Sequence, residues 1–185
     1  MTATARGRTA RDVTSALDLR DFVLDVPDFP KAGITFKDIT PLLRDARALH
    51  ACADALAAPF RDVPVDAVLC LDARGFLFGP LVAARLGVGV VPARKPGKLP
   101  RATVQARYAL EYGDNTLEVH RDAFRPGERV LLVDDVLATG GTARAAADLA
   151  RGLGAELIGS AFVLELLGLG GRARLEGPVH AVLPY

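Results

Sequence analysis

Tryptophan is missing from this chain, methionine occurs once and cysteine twice. Cys52 and Cys70 both stand in apolar surroundings, which fits buried reduced thiols rather than a disulfide framework. The three histidines, His50, His120 and His180, are scattered and form no H-E-x-x-H or similar metal-binding cluster. No apolar run approaches the ~20 residues needed to cross a bilayer, so no membrane association is expected. Met1 to Arg11 carries charge but no apolar core, which argues against a secretory signal. A loose N-terminal tail is expected over residues 1–16, and a cytoplasmic location follows. An excess of one charge is lacking too: 23 Lys and Arg stand against 22 Asp and Glu. No nucleic-acid partner is therefore expected.

Two familiar phosphate loops are also missing. Gly97-Lys98 is followed by leucine and has no upstream glycine at P-loop spacing. Gly87-Val88-Gly89 is not completed at position 92, so the dinucleotide fingerprint fails. Half of the residues are hydrophobic and a quarter charged, enough for a single globular domain spanning residues 1–185.

The most informative stretch runs from Val130 to Thr142, VLLVDDVLATGGT. Its four leading apolar residues read as a strand buried on both faces, ending where Asp134 and Asp135 interrupt the run. A loop of small residues, Ala138-Thr139-Gly140-Gly141-Thr142, comes next. From Thr142 onward Ala143, Ala146, Ala147, Ala150 and Leu153 recur at helical spacing. Strand, acidic pair, glycine loop and helix together suit an anion: loop amides and a helix N-terminus face a phosphate. Thr139 and Thr142 add hydroxyl donors. The aspartates could not sit against that phosphate, but their acceptors suit sugar hydroxyls or a hydrated divalent cation.

The rest of the chain predicts a doubly wound, mainly parallel α/β sheet flanked by helices. Strands are expected at 66–71, 88–91, from Arg129 and near 157–164, with helices at 17–26, from Thr40-Pro41, after Asp45 and at 78–86. Residues 103–119 alternate unevenly, as in a β-arm or flexible hairpin loop. Arg94-Lys95-Pro96-Gly97-Lys98-Leu99-Pro100-Arg101 holds four cations and no acid. Following a parallel strand, it projects toward the same sheet edge as the glycine loop and could stabilise charge on a leaving group. Asp72-Ala73-Arg74-Gly75 is another strand-end turn, whose amides and Arg74 guanidinium could grip a phosphate. Glu111, among apolar and aromatic neighbours, could hold or deliver a proton.

Val130 to Thr142 resembles the phosphoribosyl diphosphate signature of the type I phosphoribosyltransferases. Three more stretches are similar to the adenine phosphoribosyltransferase branch: Val26–Pro30 with Asp38–Pro41, Asp72–Phe76, and Leu110–Gly113. The likeness runs from about Leu19 to the C-terminus. It implies the type I fold, with a small N-terminal hood (residues 17–45) that recognises the purine. It also implies that adenine and 5-phosphoribosyl 1-diphosphate give AMP and diphosphate, with Mg²⁺ as cofactor and a homodimer as the assembly. Diphosphate-substrate binding would fall to Asp72, Ala73, Arg74, Arg94, Lys95, Lys98, Asp134, Asp135 and Ala138–Thr142. Thr35, Phe36, Lys37 and Val136 would hold adenine, while Glu111 and Arg74 serve catalysis. Lysine at position 37, often arginine in the family, leaves a 6-oxopurine substrate as an alternative. A non-catalytic sensor of phosphoribosyl diphosphate is another, disfavoured by the lack of a DNA-binding appendage.

Overall fold

The computed structural model describes residues 17–110 and 113–185. Five strands form a fully parallel sheet: β3 (Ala67–Leu71), β4 (Gly89–Ala93), β7 (Arg129–Leu137), β8 (Glu156–Glu165) and β9 (Val179–Pro184). Their order is β4-β3-β7-β8-β9. The chain moves outward from β3 to β4, then returns to place β7 on the other side of β3. That reversal puts a switch point between β3 and β7, and a crevice opens beyond their carboxyl ends.

Alternation within the buried strands feeds two cores. Val68, Leu131, Val133, Ala161 and Val163 face α2 (Ala46–Ala57) and α3 (Gly75–Leu86). Leu69, Leu71, Val130, Leu132 and Phe162 face the opposite way, toward α4 (Gly141–Gly152). Side chains of period two thus fill both layers from one apolar run. Asp45 caps α2, accepting from Arg47 N at 2.8 Å and Ala48 N at 3.1 Å. The helix buries Ala48, Cys52, Ala53, Leu56 and Ala57, the expected stripe. Burial pushes the thiol of Cys52 up to about 12 and that of Cys70 up to about 11, so both are unreactive.

The doubly wound sheet stands as expected, and several boundaries differ. The predicted helix over 17–26 is only a 3₁₀ turn, Leu19–Phe22, followed by β1 (Leu24–Val26). Asp18 caps that turn, and β1 is drawn into an antiparallel ribbon with β2 (Phe36–Asp38). The ribbon and α1 (Thr40–Arg44) occupy the hood segment. Thr40 does not cap α1; Asp38 accepts from its backbone N and its hydroxyl at 2.9 and 2.8 Å. Asp134 and Asp135 do not end β7, which pairs with β8 as far as Leu137. The 103–119 segment is an antiparallel arm of β5 (Thr103–Leu110) and β6 (Gly113–His120). Strand β9 lacked a sequence signal strong enough to stand out: it completes the sheet edge through Val179–Pro184.

Candidate active site

The crevice at the switch point holds a cavity of about 340 Å³. Its floor comes from two strand ends. After β3, Asp72, Ala73 and Arg74 line it, with a cis peptide between Asp72 and Ala73. From the last residues of β7 and the loop beyond it, Asp134 to Thr142 line it continuously. Gly140 takes a left-handed backbone, φ +79°, and α4 starts at the next residue. The first amides of α4 therefore open onto the cavity beside the two threonines.

Tight packing explains two glycines. A Cβ on Gly75 would lie 2.8 Å from Asp134 Oδ1 and 3.0 Å from Val133 O. Only glycine lets the turn after β3 close on the acidic strand end. Gly171, from a 3₁₀ turn late in the chain, backs the glycine loop: its Cβ would meet Ala138 O at 2.1 Å.

Asp135 is buried, and its Oδ2 lies 2.7 Å from Arg74 Nε. Asp134 Oδ1 accepts from Asp135 N at 2.9 Å. Burial raises both carboxyls above the ordinary aspartate range. The neighbouring Asp135 charge raises Asp134 further, whereas Arg74 pulls Asp135 partly back. A cation or a set of hydroxyl donors would relieve this strained electrostatics. Among the described residues no group of three His, Cys, Asp or Glu side chains comes together to hold a metal. Asp134 and Asp135 are carboxylates of this cavity that could hold a cation.

A second cavity, about 200 Å³, adjoins the first and shares Arg74, Asp135, Val136 and Ala138 with it. Ile34, Thr35, Phe36, Lys37, Leu164 and Leu166 complete its wall, which is predominantly apolar. Among the described residues strand β2 pairs with β1 alone, so its other edge presents backbone N–H and C=O groups. Arg74 lies 5.3 Å from the Phe36 ring centroid, and Phe29 meets that ring edge-on at 5.3 Å. Lys37 Nζ is paired with Asp25 Oδ1 at 2.6 Å and sits 4.3 Å above the Tyr185 ring.

The expected residues thus converge in large part. Asp72, Ala73, Arg74, Lys95, Asp134, Asp135 and Ala138–Thr142 line the larger cavity; Thr35, Phe36, Lys37 and Val136 line the smaller. Arg94 and Lys98 do not line either. The Arg94 guanidinium lies 3.3 Å from Asp72 Oδ2 and donates to Lys98 O at 3.1 Å. Glu111 lies outside the described residues. Tyr108 and Asn115, which no motif in the chain singles out, face each other across the arm and line the larger cavity. Their only signal was a place in an alternating segment.

Residues 32–178 match the family profile of the phosphoribosyl transferase domain. Over 176 residues the chain is 54% identical to the adenine phosphoribosyltransferase of Dinoroseobacter shibae, covering 94% of this chain and 98% of that one. The chain belongs to the adenine phosphoribosyltransferase family. Solved structures agree. The adenine phosphoribosyltransferase of Thermoanaerobacter pseudethanolicus superposes with a TM-score of 0.87 at 46% identity, over 90% of this chain and 98% of that one. The Saccharomyces cerevisiae enzyme, solved with an imino-altritol bisphosphate and adenine, gives 0.84 at 42% identity, over 89% and 96%. Family membership fits a fold whose two adjoining cavities differ so clearly in chemistry.

Proposed function

We propose that this protein makes AMP and diphosphate from adenine and 5-phosphoribosyl 1-diphosphate, a purine-salvage reaction. The observation that carries the reading is the pair of adjoining cavities. One is floored by an acidic pair and a glycine loop; the other is apolar and flanked by a free strand edge. A phosphorylated sugar and a flat base would meet at their shared wall, Arg74, Asp135, Val136 and Ala138.

In this reading N9 of adenine attacks C1′, the C1′–O bond breaks, and diphosphate leaves with the electron pair. The amides and hydroxyls of Ala138–Thr142 hold the 5′-phosphate, and Asp134 and Asp135 accept from the ribose hydroxyls. Arg74 and Lys95 face the diphosphate and stabilise the charge that grows on it. Lys98 and Arg94 shape that loop from behind, and Glu111 moves the purine proton. Asp134 and Asp135 would be the side chains to hold Mg²⁺, which when bound would neutralise charge on the diphosphate. The protein would work as a homodimer in the cytoplasm. Among the described residues no helix is long and apolar enough to cross a membrane.

Base choice follows from what is left to read the purine. A lysine reading O6 would favour an oxopurine, but the Lys37 ammonium is already engaged by Asp25 and Tyr185. The β2 edge and Phe36 remain, and a backbone donor beside an acceptor suits adenine's amino group and N1. A base panel with phosphoribosyl diphosphate and Mg²⁺ tests this. Adenine is expected to exceed hypoxanthine, guanine and xanthine by at least about 10³-fold in kcat/KM, since mismatched buried polar edges discriminate strongly. Preference for an oxopurine would overturn the reading.

A further inference from the structure

Glu118 lies at the base of the arm and is only 4% exposed. A buried carboxylate is costly unless donors meet its oxygens, and here both are met. Oε1 accepts from Gln105 Nε2 at 2.6 Å, across the arm, and Oε2 accepts from Gly97 N at 3.1 Å. The backbone adds two bonds: Arg94 N donates to Glu118 O at 2.9 Å, and Glu118 N donates to Arg94 O at 2.7 Å.

One residue therefore grips the cation loop on both sides of Lys95, at Arg94 through the backbone and at Gly97 through the side chain. Gly97 has φ +73°, and a Cβ there would meet nothing within 4 Å. Its glycine is needed for the backbone conformation that presents the N–H, not for space. Lys95 lines the larger cavity from this loop. The same arm supplies Tyr108 and Asn115 to the lining of that cavity. Glu118 thus ties together two segments that line one cavity without lining it itself.

We propose that Glu118 is a positioning residue that fixes the cation loop to the arm and so sets Lys95 for the diphosphate group. This rests on the reaction proposed above. A carboxylate needed only for folding would change stability without separating the two substrates, whereas a loop anchor acts on the diphosphate alone.

The test compares full-length wild type with Glu118→Ala, Glu118→Met and Glu118→Gln, by steady-state kinetics and by titration with inorganic diphosphate and Mg²⁺. Alanine and methionine remove both acceptors. Each should raise the KM for phosphoribosyl diphosphate and weaken diphosphate binding about tenfold, as the loss of one charge-assisted bond to the loop implies. The KM for adenine should stay within about twofold of wild type. Glutamine can accept from Gly97 and donate to a flipped Gln105 amide, so it should recover binding to within about threefold of wild type. Methionine keeps the side-chain volume and serves where alanine does not fold.

Unchanged diphosphate binding in the folded alanine or methionine variant would overturn the proposal. So would an equal loss for adenine, or a glutamine variant as weak as alanine. If wild type fails to turn over adenine, the proposed reaction falls; the diphosphate titration still decides the role of Glu118.

Discussion

Asp134 and Asp135 follow each other at the mouth of a buried strand, where water reaches them poorly. Their raised titration has a consequence for stability. A carboxyl whose folded value lies above its unfolded value favours folding at low pH, and that contribution is lost as pH rises through the folded value. The ligand-free protein should thus become less heat-stable as pH climbs from the ordinary aspartate range toward neutrality. Asp134→Asn keeps an oxygen for the Asp135 amide but removes the charge. It is expected to raise the neutral-pH Tm by ~2–4 °C for each kcal/mol of relieved repulsion, to flatten the pH profile, and to weaken phosphoribosyl diphosphate binding. Calorimetric scans across pH with a ligand titration check this; a lower Tm at neutral pH would show that the carboxylate is not strained. Gly75 and Gly171 belong to the same scale, because each removes one Cβ to bring two chain segments into contact. The first is legible as part of a strand-end motif. The second is not, since nothing near it in the chain hints at Ala138 and Gly140 as its neighbours.

Helix α3 shows how an element can start earlier than its sequence suggests. The expected start at Phe78 places Pro80 within a first turn, where its missing N–H costs nothing. The helix instead begins at Gly75 and continues the Asp72–Arg74 turn: Phe76 N donates to Ala73 O and Leu77 N to Arg74 O. Pro80 then falls inside the helix and is exposed to solvent. Site geometry has overridden local preference, since the early start carries the turn directly into a packed helix. Pro80→Ala should restore an N–H without removing a buried contact. A stabilisation of about 1–3 kcal/mol is expected, read from denaturant midpoints, with no change in base selectivity. A destabilised variant would mean that the proline's stiffening of the unfolded chain outweighs the bond.

Across the whole molecule, exposed apolar side chains recur on the hood, at Leu24, Val26, Phe29 and Ile34, and on the turn at Leu167 and Leu169. Such residues suit burial against a second copy, in keeping with the homodimer proposed above. Sedimentation at micromolar concentration is expected to give close to twice the 19.5 kDa of one chain. Sedimentation as a monomer with full activity would count against that assembly. The ribbon of the hood also fixes Lys37. Register in β1 places Asp25 opposite Lys37, and Tyr185, at the far end of the numbering, closes over it. The identity of the residue was plain from the chain; its engagement depended on partners brought from two other segments.

The parallel sheet, the glycine loop, the acidic pair and the capped helix α2 were determined by sequence alone, because each rests on local physics: buried strands of apolar run, glycine's backbone freedom, a cap one residue before its helix. Much of the site was legible for the same reason, since Asp72–Arg74 and Asp134–Thr142 are short continuous stretches ending adjacent strands. Only the tertiary structure decided which cations face the cavity, separating Lys95 from Arg94 and Lys98. It alone brought Tyr108 and Asn115 to the wall, set Gly171 behind the loop, and gave Glu118 its two donors. These depend on pairings between distant segments, and a side chain's partner across a sheet or an arm is set by register, which no local pattern encodes.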